Sequence, residues 1–150
     1  MHHLKKSVTA PCSAARMFEL VADVERYREF LPWCTGSRIL EQKDGEVVAE
    51  IHVGHGSAST SFATRNRNQP YKLIEMQLVD GPFKALEGSW HFEALPDGGC
   101  RATLELEFDF AGHILGTLFD LVFKEAMENL VSAFRKQCVR STLPSASFPE

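Results

Sequence analysis

The sequence has no apolar run long enough to cross a bilayer and no excess of basic charge. Its 150 residues include 16 Lys and Arg against 20 Asp and Glu, which gives a formal net charge of −4. A membrane-spanning helix needs about 20 consecutive apolar residues, and a generic nucleic-acid-binding domain is expected to be basic. The composition therefore predicts one globular domain without a transmembrane segment, and it argues against DNA as a partner.

Cysteines are few and scattered. Cys12, Cys34, Cys100 and Cys138 lie far apart, without a C-x-x-C spacing, which is unlike the disulfide framework of a small secreted protein. The first six residues are polar and resemble neither a signal peptide nor an Arg-rich transit sequence. We therefore expect free thiols and a cytoplasmic protein, with a peripheral position at the inner membrane as the alternative.

Catalytic motifs are absent as well. The sequence contains no P-loop, G-x-G-x-x-G, G-x-S-x-G or H-E-x-x-H pattern. The nearest metal-like spacing is His52-x-x-His55, and residues three apart on a strand point to opposite faces. His91 and the acidic residues at every second position from Glu105 are expected to face water. We predict neither a catalytic centre, nor a metal site, nor a cofactor.

Most of the chain reads as strands. From residue 37 to residue 110 apolar residues alternate with polar ones, a pattern typical of strands with one buried face. Another strand is expected from Leu4 to Thr9. The segments that separate the strands are typical turn sequences: Asp44-Gly45, residues 54–56, residues 68–70, residues 80–82 and residues 96–99. The sequence thus predicts an antiparallel meander of about seven strands.

Two short helices and one long one complete the prediction. The short helices follow the first strand, and the second of them, opened by Asp23, ends before Pro32. Apolar residues recur at steps of three and four from Ile114 to Arg140, which predicts a long terminal helix. We expect an α+β fold in which a curved sheet wraps around this helix, with one domain over residues 1–141 and a disordered tail over residues 142–150.

The interior of this fold is expected to be rich in aromatic side chains. The chain has 11 Phe, 2 Trp and 2 Tyr, and the rings either fill a dry core or surround a cavity. Gly88, on the inward face beside Trp90, favours a cavity because a glycine removes side-chain volume.

Three sequence segments together indicate a family. Tyr27-Arg28-Glu29-Phe30-Leu31-Pro32-Trp33-Cys34 is followed by Ser37-Arg38, then by Asp80-Gly81-Pro82-Phe83-Lys84 with Leu86, and then by Trp90-His91-Phe92. This combination resembles the coenzyme Q-binding START-like family over about residues 4–140. That family includes polyketide cyclase/dehydrase-like proteins and bacterial ribosome-association toxins.

The resemblance implies a helix-grip (START/Bet v 1-like) fold with a hydrophobic tunnel between sheet and terminal helix. It implies non-enzymatic binding of ubiquinone or a related isoprenoid lipid, in support of respiratory electron transport or quinone biosynthesis. One alternative is binding to the large ribosomal subunit, which would block subunit joining. Another is a cyclase or dehydratase acting on a polyketide-like chain. A transient contact with a membrane surface is also expected.

The residues that we expect to contact the ligand are mostly aromatic and lie on the inward face or on the adjoining loops. Trp33 and Phe83 are expected to gate the mouth of the tunnel. The full set is Tyr27, Phe30, Trp33, Phe62, Met76, Phe83, Leu86, Trp90, Phe108, Leu115, Phe119 and Phe123.

Overall fold

A curved antiparallel sheet makes up most of the chain. The computed structural model describes the backbone of residues 2–55 and 58–142 and the side chains of residues 2–54 and 60–140. The sheet has seven strands in the order β1-β7-β6-β5-β4-β3-β2, which confirms the predicted α+β meander. The strands are β1 (His2–Ala10), β2 (Cys34–Lys43), β3 (Glu46–His55), β4 (Ala58–Gln69), β5 (Leu73–Asp80), β6 (Phe83–Ala94) and β7 (Cys100–Phe110).

Alternation along the strands gives the sheet one apolar face. In β7, Leu104, Leu106, Phe108 and Phe110 are buried, and the side chains between them are half-buried or exposed. Side chains on a strand point to opposite faces in turn, so these four lie on the concave side. The first strand pairs antiparallel with β7 and forms one edge of the sheet.

Two short helices follow β1, as the sequence predicts. The helix α1 (Ala14–Ala22) begins after Ser13, whose side-chain oxygen accepts a hydrogen bond from a backbone N–H of the first turn at 3.1 Å. A 3-10 helix then spans Val24–Glu29. The Tyr27 hydroxyl donates a hydrogen bond to the Val21 carbonyl oxygen, and this bond ties the 3-10 helix back to α1.

The long helix α2 spans Leu118–Thr142, so the prediction that it begins at Ile114 is wrong. A short 3-10 helix over Gly112–Ile114 comes first. Gly116 then has a φ of +79°, which is outside the right-handed helical region. The Asp120 carboxylate accepts a hydrogen bond from the Gly116 N–H at 2.8 Å and so caps the helix after this break.

The expectation of free thiols is wrong for one pair of cysteines. Cys12, just before α1, and Cys138, near the end of α2, form a disulfide between residues 126 positions apart. Cys34 and Cys100 are free and buried. Burial raises the pKa of both thiols, so neither has the low pKa of a reactive cysteine.

The middle and the C-terminal part of α2 are also attached to β1. Arg135 Nε donates to the Thr9 carbonyl oxygen at 2.8 Å, and Lys6 Nζ lies 2.9 Å from Glu128 Oε1. In the described part of the chain no helix is long and apolar enough to cross a bilayer. The expected tail lies outside the described residues, except for residue 142, which ends α2.

Aromatic rings fill much of the space between sheet and helix. The Phe134 ring centroid lies 5.4 Å from those of Tyr27 and Trp90. Further along α2, the Phe123 centroid lies 5.1 Å from those of Phe83 and Phe108. Such pairs add about 0.5–1.5 kcal/mol each beyond their buried area. The helix is therefore held by its own aromatic side chains.

Gly88 does not open the interior. A Cβ at this position would lie 2.5 Å from the Glu105 carbonyl oxygen and 2.8 Å from Leu106 Cδ1. The volume that the glycine leaves is therefore taken up by Leu106 and by the β7 backbone. The inference from Gly88 to a cavity is wrong, and the glycine instead permits the close approach of β6 and β7.

Candidate functional site

A small cavity remains between the concave face of the sheet and α2. Its volume is about 70 Å³, and its lining is mostly apolar, with contributions from β3 to β7, α2 and the segment around Tyr27. Pockets that hold small organic ligands are typically about 300–1,000 Å³. The cavity as it stands is therefore too small for a quinone ring, and a ligand would have to open it.

Two polar side chains of β4 face this cavity. The hydroxyl of Thr64, which is buried, donates to Asn66 Oδ1 at 2.7 Å, and both residues line the cavity. That bond uses the amide oxygen and leaves the two N–H donors of the Asn66 amide for other partners. Tyr27 also lines the cavity; burial raises its pKa well above the usual range, so it is neutral at physiological pH.

A much larger open groove runs along the outside of α2. Its volume is about 810 Å³, and it lies between the 28–33 segment, Gly54 and one face of α2. The helix residues that line it are Val122, Glu125, Ala126, Asn129, Ser132, Ala133, Lys136, Gln137 and Arg140. Each of these residues before Arg140 is followed by another three or four positions later, so together they form one continuous face of the helix.

Trp33 separates the two spaces. Its side chain lines both the cavity and the groove and is half-buried. Its carbonyl oxygen accepts a hydrogen bond from the Gly54 N–H at 2.9 Å. This bond holds the backbone of Trp33, while its side chain can adopt other rotamers.

Most of the predicted ligand-contacting residues lie around these two spaces. Phe30 lines the groove. Seven of the twelve line the cavity, and Trp33 is the one that lines both. The seven are Tyr27, Trp33, Phe62, Met76, Leu86, Trp90 and Phe123.

Three predicted residues, Phe83, Phe108 and Phe119, are instead packed into the solid part of the core. The Phe83 centroid lies 5.4 Å from that of Phe110 and 5.8 Å from that of Phe119. Phe83 was expected to gate the mouth of the tunnel, but it is buried. Gly81 brings the loop before Phe83 down onto Phe62. A Cβ on Gly81 would lie only 2.6 Å from Phe62 Cβ.

Leu115 is at the surface rather than in a tunnel. It is 57% exposed, and Leu118 and Leu121 are 47% and 64% exposed. The prediction placed Leu115 on a buried helix face, but α2 begins only after Gly116.

Other lining residues were absent from the prediction. Thr64 and Asn66 stand two and four positions after Phe62, so period two on β4 places them on the same face. The expected set consisted of apolar and aromatic residues, so these two polar residues were not included. The groove face of α2 gave no signal, because a polar helix face is ordinarily the one in water.

The titratable residues considered for catalysis lie away from both spaces. His91 is exposed and bonds to Ser89 Oγ at 3.1 Å, while Glu105 lies 3.9 Å from His3 on the outer face. His52 bonds to Glu50 at 3.0 Å. Within the described residues no group of three potential ligands is placed to hold a metal ion; the His55 side chain is outside them.

The concave sheet closed by a terminal helix is the helix-grip architecture, and solved structures share it. The Zhui aromatase/cyclase from Streptomyces sp. R1128 superposes with a TM-score of 0.78 at 20% identity, over 97% of this chain and 98% of that chain. The protein CC1736 from Caulobacter crescentus gives a TM-score of 0.72 at 32% identity, over 93% and 97%. The START-like fold is therefore confirmed.

Sequence relatives carry the comparison further. The ribosome association toxin RatA of Pseudomonas aeruginosa is 43% identical over 132 residues, which is 88% of this chain and 92% of the relative. The mitochondrial coenzyme Q-binding protein COQ10 homolog B of Xenopus laevis is 31% identical over 133 residues, 85% of this chain and 54% of that protein. The family model for polyketide cyclase / dehydrase and lipid transport matches residues 10–135. The chain belongs to this family.

Proposed function

We propose that the protein binds ubiquinone or a related isoprenoid lipid without chemically transforming it. The observation that carries this proposal is the position of Trp33, the one described residue that lines both an apolar interior cavity and an open groove. A rotated Trp33 would let a flexible tail enter between sheet and helix from the groove. The similarity to the COQ10 homolog gives independent support.

The apolar lining suits a prenyl tail. Transfer of a CH₂ group from water to an apolar site contributes about 0.8 kcal/mol, so several isoprene units supply binding energy without any strong polar contact. The cavity of about 70 Å³ takes only a small part of such a tail. The groove and a widened cavity would hold the rest, and the flexible Met76 and Met127 side chains in the lining can adapt to it.

The chemistry of the cavity favours binding over catalysis. Tyr27 is the ionisable side chain in its lining, and its hydroxyl is used in the bond to Val21. A general acid or base needs a pKa near the working pH, whereas burial moves the pKa of Tyr27 upward.

Purification followed by organic extraction and mass spectrometry tests this function. We expect a quinone or other isoprenoid lipid to co-purify with the wild-type protein. Asn129→Trp places a large side chain in the middle of the groove and should reduce retention severalfold. Glu128→Trp is the matched control, because this exposed neighbour faces Lys6 instead of the groove. Equal retention by both variants, or no isoprenoid lipid in the wild-type protein, would contradict the proposal.

A transient contact with a membrane surface fits the same function. Leu115, Leu118 and Leu121 expose apolar side chains at the start of α2. Leu118 precedes Val122, the first helix residue of the groove, by one turn. The exposed leucines therefore adjoin the apolar end of the groove, where a lipid would leave or enter a bilayer.

Ribosome association is the second candidate, and the 43% identity to a protein named ribosome association toxin favours it. The activity expected is binding to the large subunit, with fewer joined ribosomes as the result. Sucrose-gradient profiles of ribosomes with added protein at low and high salt test it. A shift toward free subunits at low salt supports this function, and an unchanged profile at low salt removes it.

A further inference from the structure

The groove beside α2 changes in character from one end to the other. Val122 and Ala126 line it toward the start of the helix, and Lys136 and Arg140 line it toward the end. At a rise of about 1.5 Å per residue, the distance from Val122 to Arg140 along the helix is about 27 Å. Phe30 and Trp33 add apolar surface on the opposite wall.

The basic residues that line the groove come from two separate elements. Lys136 and Arg140 are one turn apart on α2, and Arg28, which belongs to the 3-10 helix Val24–Glu29, lines the same groove. Basic residues near the end of a helix suit its dipole, which accounts for the pair on α2. The dipole does not account for Arg28, which adds a third cation to the lining of the groove from a second element.

Seven other lysines and arginines in the described part of the chain form ion pairs with carboxylates, and these three do not. Among the described residues no carboxylate forms an ion pair with Arg28, Lys136 or Arg140, although most other arginines on the surface have one. The lysines and arginines for which the structure shows an ion pair with a carboxylate are Lys6, Arg26, Arg38, Arg65, Arg67, Arg101 and Lys124.

The acidic residues of the groove do not neutralise this end. Glu29 lies 3.1 Å from Arg26 Nη2, and Glu125 is nearly three turns before Lys136 on the helix. With two acidic and three basic residues in its lining, the groove is positive in a chain whose net charge is −4.

We infer that the groove binds a prenyl lipid with a phosphate head group, the phosphate lying between Arg28, Lys136 and Arg140 and the apolar chain along Val122 and Ala126. A phosphate monoester carries a charge of about −1.5 to −2 at pH 7. This charge complements the three cations, whereas a neutral quinone ring does not. Arginine and lysine are the side chains that bind phosphate oxygens most strongly. The inference rests on the proposed binding of isoprenoid lipids and names the head group that this site selects.

Farnesyl phosphate, farnesol and inorganic phosphate are the probes that test the inference, by isothermal titration calorimetry at one fixed salt concentration. Exposed charge pairs contribute little individually, and the three together should make farnesyl phosphate bind about tenfold more tightly than farnesol. Inorganic phosphate alone should bind far more weakly than farnesyl phosphate.

The double variant Arg28→Gln with Lys136→Gln should bring the ratio between the two farnesyl ligands close to one. Lys72→Gln is the control, because Lys72 is an exposed cation away from the groove, and it should leave the ratio unchanged. An equal affinity of the wild-type protein for farnesol and farnesyl phosphate overturns the phosphate site while the proposed lipid binding stands. Absence of binding by both ligands overturns the two together.

Discussion

The backbone of Trp33 is joined to that of Gly54 by a hydrogen bond of 2.9 Å from the Gly54 N–H to the Trp33 carbonyl oxygen. This bond holds the segment before β2 against β3 while the indole stands between cavity and groove. In the proposed function, access to the interior depends on rotation of this side chain, and side-chain rotations occur on a faster timescale than the movement of a whole loop. The two tryptophans of the chain give a direct way to follow it.

We predict that a short-chain ubiquinone quenches the fluorescence of Trp33 more than that of Trp90. Trp33 lies against both spaces, whereas Trp90 is almost fully buried and lines only the cavity. A titration of Trp90→Phe should therefore retain most of the quenching, and a titration of Trp33→Phe should lose most of it. The reverse pattern would show that the quinone occupies the interior without passing Trp33.

The sequence was sufficient to predict the parts of the fold that depend on local periodicity. The strict alternation in β7 and the turn at Asp97-Gly98 are properties of neighbouring residues, so they can be recognised without coordinates. The start of α2 could not be predicted in this way. Apolar spacing continues through Leu115, and the break depends on the positive φ of Gly116 and on the cap from Asp120.

The candidate site shows the same division. The aromatic residues Tyr27, Trp33 and Trp90 were predicted because large apolar side chains were expected on the inward face or on the loops around it. The disulfide between Cys12 and Cys138 joins residues 126 positions apart, and no spacing rule connects such a pair. The groove depends on where the 28–33 segment lies relative to α2, which is a tertiary property.

Gly81→Ala should lower the free energy of unfolding. The new methyl group would stand 2.6 Å from Phe62 Cβ, at a φ of +148°, so both a clash and backbone strain are expected, about 1–3 kcal/mol in total. Gly98→Ala is the matched control, because φ there is +89° with nothing within 4 Å of the added Cβ. Urea denaturation should show a larger loss for Gly81→Ala, and equal losses would contradict the predicted clash.

Reduction of the Cys12–Cys138 disulfide should destabilise the protein by about 2–4 kcal/mol, because a long loop of the unfolded chain is released. Urea midpoints of the wild-type protein with and without reductant measure this. Cys138→Ser should no longer respond to reductant. Cys34→Ser should respond as the wild-type protein does, since Cys34 is free. A wild-type midpoint that is insensitive to reductant would contradict the prediction.

Leu121→Glu should weaken binding to vesicles of phosphatidylcholine and phosphatidylglycerol, measured by co-sedimentation. Insertion of one leucine side chain contributes about 1.5–3 kcal/mol, so its loss should reduce the partition coefficient at least tenfold. Leu40→Glu is the control, because Leu40 is 43% exposed on β2, away from the start of α2. If Leu40→Glu has the same effect, the contact is not localised at the exposed leucines of α2.

Asp120→Asn should make the stability of the protein less dependent on pH in the acid range. Burial of the Asp120 carboxyl favours its neutral form, but the Gly116 N–H and Lys124 Nζ, at 2.8 and 3.0 Å, outweigh it and hold the pKa below its usual value. A lowered pKa in the folded state stabilises the protein above the unfolded value of about 3.9, and this contribution is lost as the pH falls through the folded value. At pH 7 we expect the variant to be less stable by about 1 kcal/mol.

The asparagine retains an oxygen that accepts from the Gly116 N–H, so the substitution removes mainly the charge. An ordinary aspartate has a pKa of about 3.9. The urea midpoints of the two proteins should therefore converge as the pH falls well below this value. A constant difference between wild type and variant from neutral to acid pH would mean that the cap acts through its geometry and that ionisation of Asp120 contributes nothing to the start of α2.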